Sequence, residues 1–179
     1  KEYVKTVYLV ERICGICSFM HAMNFCQGLE SIIGLKVPER ADYLRVIWAE
    51  LHRMHSHLLF LGLLADSFGF EALFMQAMRC REMILDIMER TAGGRVMLGT
   101  CCIGGVRRDI DRQGCDDVLR SLDDFEQLYA AVYSAFERDY SVRMRLSGKG
   151  VLNREQAYEL GAVGPVAKAS GLAMDLRQT

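Results

Sequence analysis

No stretch of the 179 residues stays apolar for the ~18 to 20 positions that a membrane-crossing helix needs, so attachment to a bilayer has to come through partners. No basic block stands out either. With 22 basic and 23 acidic side chains the formal net charge is -1, and without a one-sided Lys/Arg excess nucleic acid is set aside as the main partner. The opening Lys1-Glu2-Tyr3 does not read as a signal peptide, and no internal repeat or low-complexity tract divides the chain. A regular cysteine framework is also missing. The seven cysteines (14, 17, 26, 80, 101, 102 and 115) are odd in number and scattered, unlike those of a small disulfide-held secreted protein, which points to a reducing compartment. The sequence starts without Met and stops at Arg177-Gln178-Thr179, just after a patterned segment, and so reads as a fragment.

What is present suits one mainly α-helical domain, a helical bundle with minor β-strands, long enough to bury a core. Hydrophobic residues make up 51%, slightly more apolar surface than average to hide, which makes a buried partner face plausible. Thr6 to Val10 has the β-branched and aromatic composition of a short strand. Helical spacing follows over Ser18 to Ile33, closed by Gly34, and a second helix opens at Val37-Pro38-Glu39 and carries the stripe Leu44, Ile47, Trp48, Leu51, His55, Leu58 to about Leu64. A third spans Phe70 to Arg90, ended by Gly93-Gly94, and its short link to the second predicts an antiparallel pair. Residues 95–114 are too rich in glycine and charge for an element interior and read as a loop. From about Asp116 to Leu146 a heptad-like seam (Val118, Leu122, Phe125, Tyr129, Val132, Phe136) predicts one long helix of roughly 45 Å. Gly148 to Leu152 reads as a short strand or turn, Asn153 with Gln156 as a capping box, and the segment from Gly164-Pro165 to Arg177 as small residues for close packing.

The chemistry gathers in Glu11-Arg12-Ile13-Cys14-Gly15-Ile16-Cys17-Ser18-Phe19-Met20-His21. Thiolates are soft ligands for zinc, nickel or iron, and a two-residue gap containing glycine lets both sulfurs address one ion, with His21 four residues beyond Cys17 on the same helix face. A c-type haem is excluded because Ser18, not histidine, follows Cys17. A zinc knuckle half, a redox dithiol and buried structural cysteines stay open on the residues alone. Glu11 and Arg12 flank the turn, as a solvated ion pair or with Arg12 offsetting thiolate charge. His52, His55 and His57 share one helix, but His52 and His57 lie about 140° apart around it, which favours packing and hydrogen bonding over a common metal. The remaining cysteines read most simply as buried small hydrophobes.

Arg12-x-Cys14-Gly15-x-Cys17-x-x-x-His21 resembles the N-terminal cysteine motif of nickel-iron hydrogenase large subunits, in their energy-converting, membrane-associated branch. This branch includes the CO-induced hydrogenases and is related to the 49 kDa subunit of respiratory complex I. The resemblance continues in order through the helix Glu50 to Gly62, the loop Ile103 to Asp109, and the segments 161–165, 169–171 and 175–177.

By that resemblance, Cys14 would be a terminal nickel ligand, Cys17 would bridge nickel and iron, and His21 would lie beside the thiolates. The iron would carry CO and cyanide. Arg12 joins these as a catalytic candidate, with Glu11, Glu50, His57, Arg107, Asp109, Asp175 and Arg177 as surrounding, proton-path or interface candidates. Both thiols favour a hydrogenase over a complex I-type quinone reductase, which has lost them. The implied activity is reversible proton reduction to H2. Electrons would come through 4Fe-4S clusters of a small subunit, from a ferredoxin-type donor, coupled to membrane ion-translocating subunits at the cytoplasmic face of the membrane. The family's preceding proton-transfer glutamate and second cysteine pair are not in these 179 residues, so the stretch alone is expected not to hold a Ni-Fe centre.

Overall fold

The computed structural model describes residues 2–174, and in it the first segment departs from the sequence reading. Thr6 to Val10 forms not a strand but the end of helix α1 (Tyr3–Val10), which runs into a single 3-10 turn at Glu11–Ile13. A strand here would need a neighbour to take its backbone N–H and C=O groups, whereas a helix satisfies them internally. The burial is helical as well: Val7 is fully buried, with Thr6 and Val10 half-buried beside it.

Helix α2 (Ser18–Ile33) has the predicted limits, and Gly34 caps it in the left-handed conformation at φ 67°. Helix α3 (Glu39–Ser67) follows Pro38, and the early Glu39 and Asp42 suit the positive end of its dipole. Helix α4 (Glu71–Ala92) ends on a left-handed Gly93. The two run antiparallel. Trp48 Nε1 donates to Thr91 Oγ1 at 3.1 Å, His55 meets Arg81, and a side chain on Gly62 would strike Met78, so positions fall along α3 as they rise along α4.

Within the loop over 95–114 sits a small antiparallel hairpin, β1 (Cys101–Cys102) with β2 (Gly105–Val106), the minor β-structure of this fold. It is fastened by a buried ion pair. Arg45 on α3 donates through Nη1 and Nη2 to Glu30 on α2 at 2.9 and 2.6 Å, and its Nη2 also reaches the carbonyls of Cys102 and Gly105. Glu30 accepts the Gly104 N–H at 2.7 Å. Burial pushes the Glu30 carboxyl up, but the Arg45 guanidinium and the Gly104 amide outweigh it and hold it below the usual range. Gly104 itself sits at φ +87°, where a Cβ would also press on Leu35 at 3.2 Å.

Helix α5 (Arg112–Arg138) starts earlier and stops sooner than the predicted 116–146 helix. Asp139 is the cause. Its backbone is extended (φ -64°, ψ 128°) and its carboxylate accepts the Val142 N–H at 3.1 Å, which starts a new helix, α6 (Tyr140–Leu146). The predicted seam nevertheless faces inward: Phe125 and Val132 are buried, and Val118, Leu122, Tyr129 and Phe136 pack around the core. Gly148 to Leu152 is a turn without a strand. Helices α7 (Arg154–Glu159) and α8 (Gly164–Ala169) follow, α7 with the Asn153/Gln156 capping box in place.

Where the sequence reads as one domain, the chain groups into two compact units, Lys1–Glu137 and Arg138–Thr179. The first holds the large core around Trp48, Phe19, Ile84 and Met88; the second has a small one of Ala157, Ala167 and Leu172. No helix among the described residues is long and apolar enough to cross a membrane.

Removing one partner of a buried ion pair strands the other's charge, so Arg45→Met is expected to lower unfolding stability by roughly 3–5 kcal/mol. Urea denaturation would show this as a shifted midpoint, and an E30L/R45M double variant should recover a large part of the loss.

Candidate metal centre

The end of α1 and the start of α2 deliver the two cysteines from opposite sides of one turn. Cys14 closes the 3-10 turn in extended conformation (φ -140°, ψ 130°), and Cys17 precedes the first residue of α2. The Cys17 carbonyl accepts the amides of Met20 at 3.1 Å and His21 at 3.4 Å, which sets Cys17 and His21 on one face of that first turn. Their side chains meet, with Cys17 Sγ 3.4 Å from His21 Nε2. Cys14 folds back over the turn, its sulfur accepting the N–H groups of Ile16 (3.4 Å) and Cys17 (3.2 Å). The ligand atoms of Cys14, Cys17 and His21 all lie within 4.8 Å of one another, and this is the one such group of His, Cys or carboxylate side chains among the described residues.

The two thiols do not titrate alike. The hydrogen bond from Cys17, then the amides of Ile16 and Cys17, draw the Cys14 thiol below its ordinary value. Burial, and next the Cys14 sulfur, push Cys17 up to about 11. Cys14 is therefore the first to become a thiolate. Two soft sulfurs and an imidazole, all half-exposed, fit one side of a nickel, iron or zinc site.

The other predicted residues spread widely. Glu11 is buried, and its carboxylate accepts the Gly99 N–H at 2.8 Å, tying the turn to the loop after α4; it is no solvated ion pair. Arg12 is exposed and donates to the Tyr8 carbonyl at 2.7 Å, at the end of α1. Glu50 pairs with Arg53 on the exposed side of α3, and His57 is exposed there too. Arg107 lies over the Tyr8 ring at 4.6 Å and donates to the carbonyls of Gly99 and Cys101. Asp109 pairs with Arg40 at 2.8 Å. Asp175 and Arg177 lie outside the described residues. Of the remaining cysteines, Cys26, Cys80 and Cys101 are buried as expected, but Cys102 is half-exposed and Cys115 exposed.

The residues that brace the turn are ones the motif does not contain. His55 is fully buried, and its Nε2 lies 3.0 Å from the Ile16 carbonyl between the two cysteines. His52 Nε2 reaches the Val96 carbonyl at 3.0 Å and Ser18 Oγ at 3.1 Å, and Ser18 donates to Val96 O at 2.6 Å. The sequence did carry a signal: His55 occupies a position in the apolar stripe of α3, where a polar side chain needs a buried partner.

Burial, then the neighbouring His52 and Arg81, press His55 down to about 4, and burial also lowers His52. The unfolded chain binds more protons between that value and the ordinary 6.5, so stability should be intact above about pH 6.5 and fall as pH drops towards 4, by roughly 3 kcal/mol for His55. Urea unfolding at pH 7 and pH 4.5 measures it.

The nickel-dependent hydrogenase family matches residues 2–66, and the family of the respiratory-chain NADH dehydrogenase 49 kDa subunit matches residues 67–179. The membrane-bound hydrogenase subunit alpha of Pyrococcus furiosus is 38% identical over 99% of this chain and 42% of its own length. The carbon monoxide-induced hydrogenase of Rhodospirillum rubrum is 39% identical over 99% of this chain and 50% of its own. A solved chain of the membrane-bound sulfane sulfur reductase, an archaeal respiratory membrane complex, superposes on the whole chain with a TM-score of 0.94 at 27% identity, over 48% of its length. The chain thus spans half or less of the length of these relatives. With the cysteine turn inside the hydrogenase match and the later helices inside the 49 kDa match, the chain belongs to the family of nickel-iron hydrogenase large subunits and their relatives, the 49 kDa subunits of the respiratory chain.

Proposed function

We propose that this chain is the part of an energy-converting nickel-iron hydrogenase large subunit in which Cys14 and Cys17 would supply two of the thiolates that hold a Ni-Fe group. The observation that carries the reading is the convergence of Cys14, Cys17 and His21 within 4.8 Å at the start of α2. When bound, the Ni-Fe group, its iron carrying CO and cyanide, supplies an electron-rich metal for making or splitting H2.

The chain's own contribution is charge and proton placement. Cys14, whose sulfur is held by two backbone amides, offers negative charge first. His21, 3.4 Å from the Cys17 sulfur, is placed to hold or pass a proton at that atom. Arg12, next to the turn in sequence, adds a positive charge on its solvent side. No other described side chain joins the group. The reaction is reversible reduction of protons to H2. Its partners are a small subunit carrying 4Fe-4S clusters, a ferredoxin-type donor, and membrane subunits that translocate ions and hold the protein at the cytoplasmic face.

A quinone-reducing subunit of complex I type is the second reading, favoured by the match of the 49 kDa family over residues 67–179. Nickel content separates the two. In the full-length complex, Cys17→Ser is expected to abolish both bound nickel and H2 evolution, read by metal analysis and gas chromatography. Retained activity in that variant would overturn the assignment of Cys17 as a ligand, and a parent complex without nickel would favour the quinone reading.

A further inference from the structure

Among the described residues, three cross-chain hydrogen-bond systems reach the segment from Glu11 to Ser18: Glu11 to the Gly99 amide, Ser18 to His52 and Val96, and Ile16 to His55. The last is the only one of the three that grips the turn between its two sulfurs. A carbonyl oxygen can only accept, so His55 must carry its proton on Nε2 for this bond to exist. The other ring nitrogen settles the matter: Arg81 Nη2 on α4 lies 3.3 Å from His55 Nδ1. A guanidinium can only donate, so Nδ1 must be bare. The two contacts select one form of the imidazole, neutral and protonated on Nε2.

The surroundings keep the ring in place. His55 is fully buried on α3, and the ring of His52 stands perpendicular to it with centroids 4.6 Å apart. Arg81 sits in this position with a buried Nε that has no hydrogen-bond partner among the described residues. That is a cost which helix packing alone gives no reason to bear.

We propose that Arg81 and His55 are positioning residues for the cysteine turn: Arg81 fixes the tautomer of His55, and the His55 Nε2–H holds the Ile16 carbonyl so that Cys14 and Cys17 stay aimed at one point. Neither touches the sulfurs in this role. The proposal rests on the reading of the turn as a thiolate metal site, and it deepens that reading by naming what keeps the site in shape.

Three readouts on the full-length protein test it. In protein labelled with 15N-histidine, NMR should show His55 with a bare Nδ1 and a protonated Nε2, and Arg81→Met should mix the two tautomers while Arg81→Lys, which keeps a donor, restores the single form. Hydrogen exchange of the 14–18 segment should speed up by about tenfold or more in His55→Phe and in Arg81→Met. Loss of such an outer contact to a metal site typically weakens metal affinity 10- to 100-fold, so nickel retention against a chelator should fall by that factor in both variants. Unchanged exchange in the turn, or a protonated Nδ1 in the parent, overturns the proposal. So does a lowered unfolding midpoint with nickel retention intact, which is the mark of a merely structural role. Should the parent bind no nickel at all, the metal reading fails by itself, and the positioning role is still decided by the NMR and exchange results.

Discussion

The ion pair between Glu30 and Arg45 is the interaction on which the rest of the first unit is hung. Two opposite charges have been taken out of water, at a desolvation cost that an ordinary surface pair never meets. The cost is offset because the guanidinium grips the carboxylate with both terminal nitrogens and also binds two carbonyls of the hairpin, while the carboxylate takes a hairpin amide. One contact thus joins α2, α3 and the β1–β2 hairpin. Since α2 begins at the cysteine turn, the pair at its far end fixes the direction in which that turn is presented. The beginning of the same helix is held by Ser18, which His52 and the Val96 carbonyl bracket.

Features governed by neighbours in sequence could be read from the sequence. The limits of α2 follow from an apolar period and the glycine that ends it, and the capping box at Asn153 and Gln156 is a three-residue device. The nearness of Cys14, Cys17 and His21 belongs to the same class, since a turn and one helical step put them within reach of one another. The seam of α5 was visible as a period, but its end was not, because a single aspartate at 139 could continue a helix or cap the next one equally well.

What stayed hidden depends on partners distant in sequence. The β-branched run at Thr6 to Val10 signals a strand only where another strand exists to pair with it, and none of the described strands does. Glu30 and Arg45 look like two more surface charges until α2 and α3 are laid side by side. Among the helix histidines, sequence similarity drew attention to His57, which faces outward, while His55 carries the contact to the turn. Glu11, for which a solvated pair was one of the open readings, proves to be a buried anchor whose partner amide lies 88 residues away.

Those long separations carry an implication for the order of events in the cell. The turn is clamped by groups at Val96, Gly99 and, through α2, Gly104, all of which leave the ribosome long after Cys14 and Cys17 do. Contacts so far apart along the chain form late in folding. During synthesis the two thiols therefore precede the groups that brace their turn. Only once the chain as far as Gly104 has emerged and folded are all three of these clamps in place. For the metal role proposed for this turn, the order of folding would then matter as well as the affinity of the two thiolates.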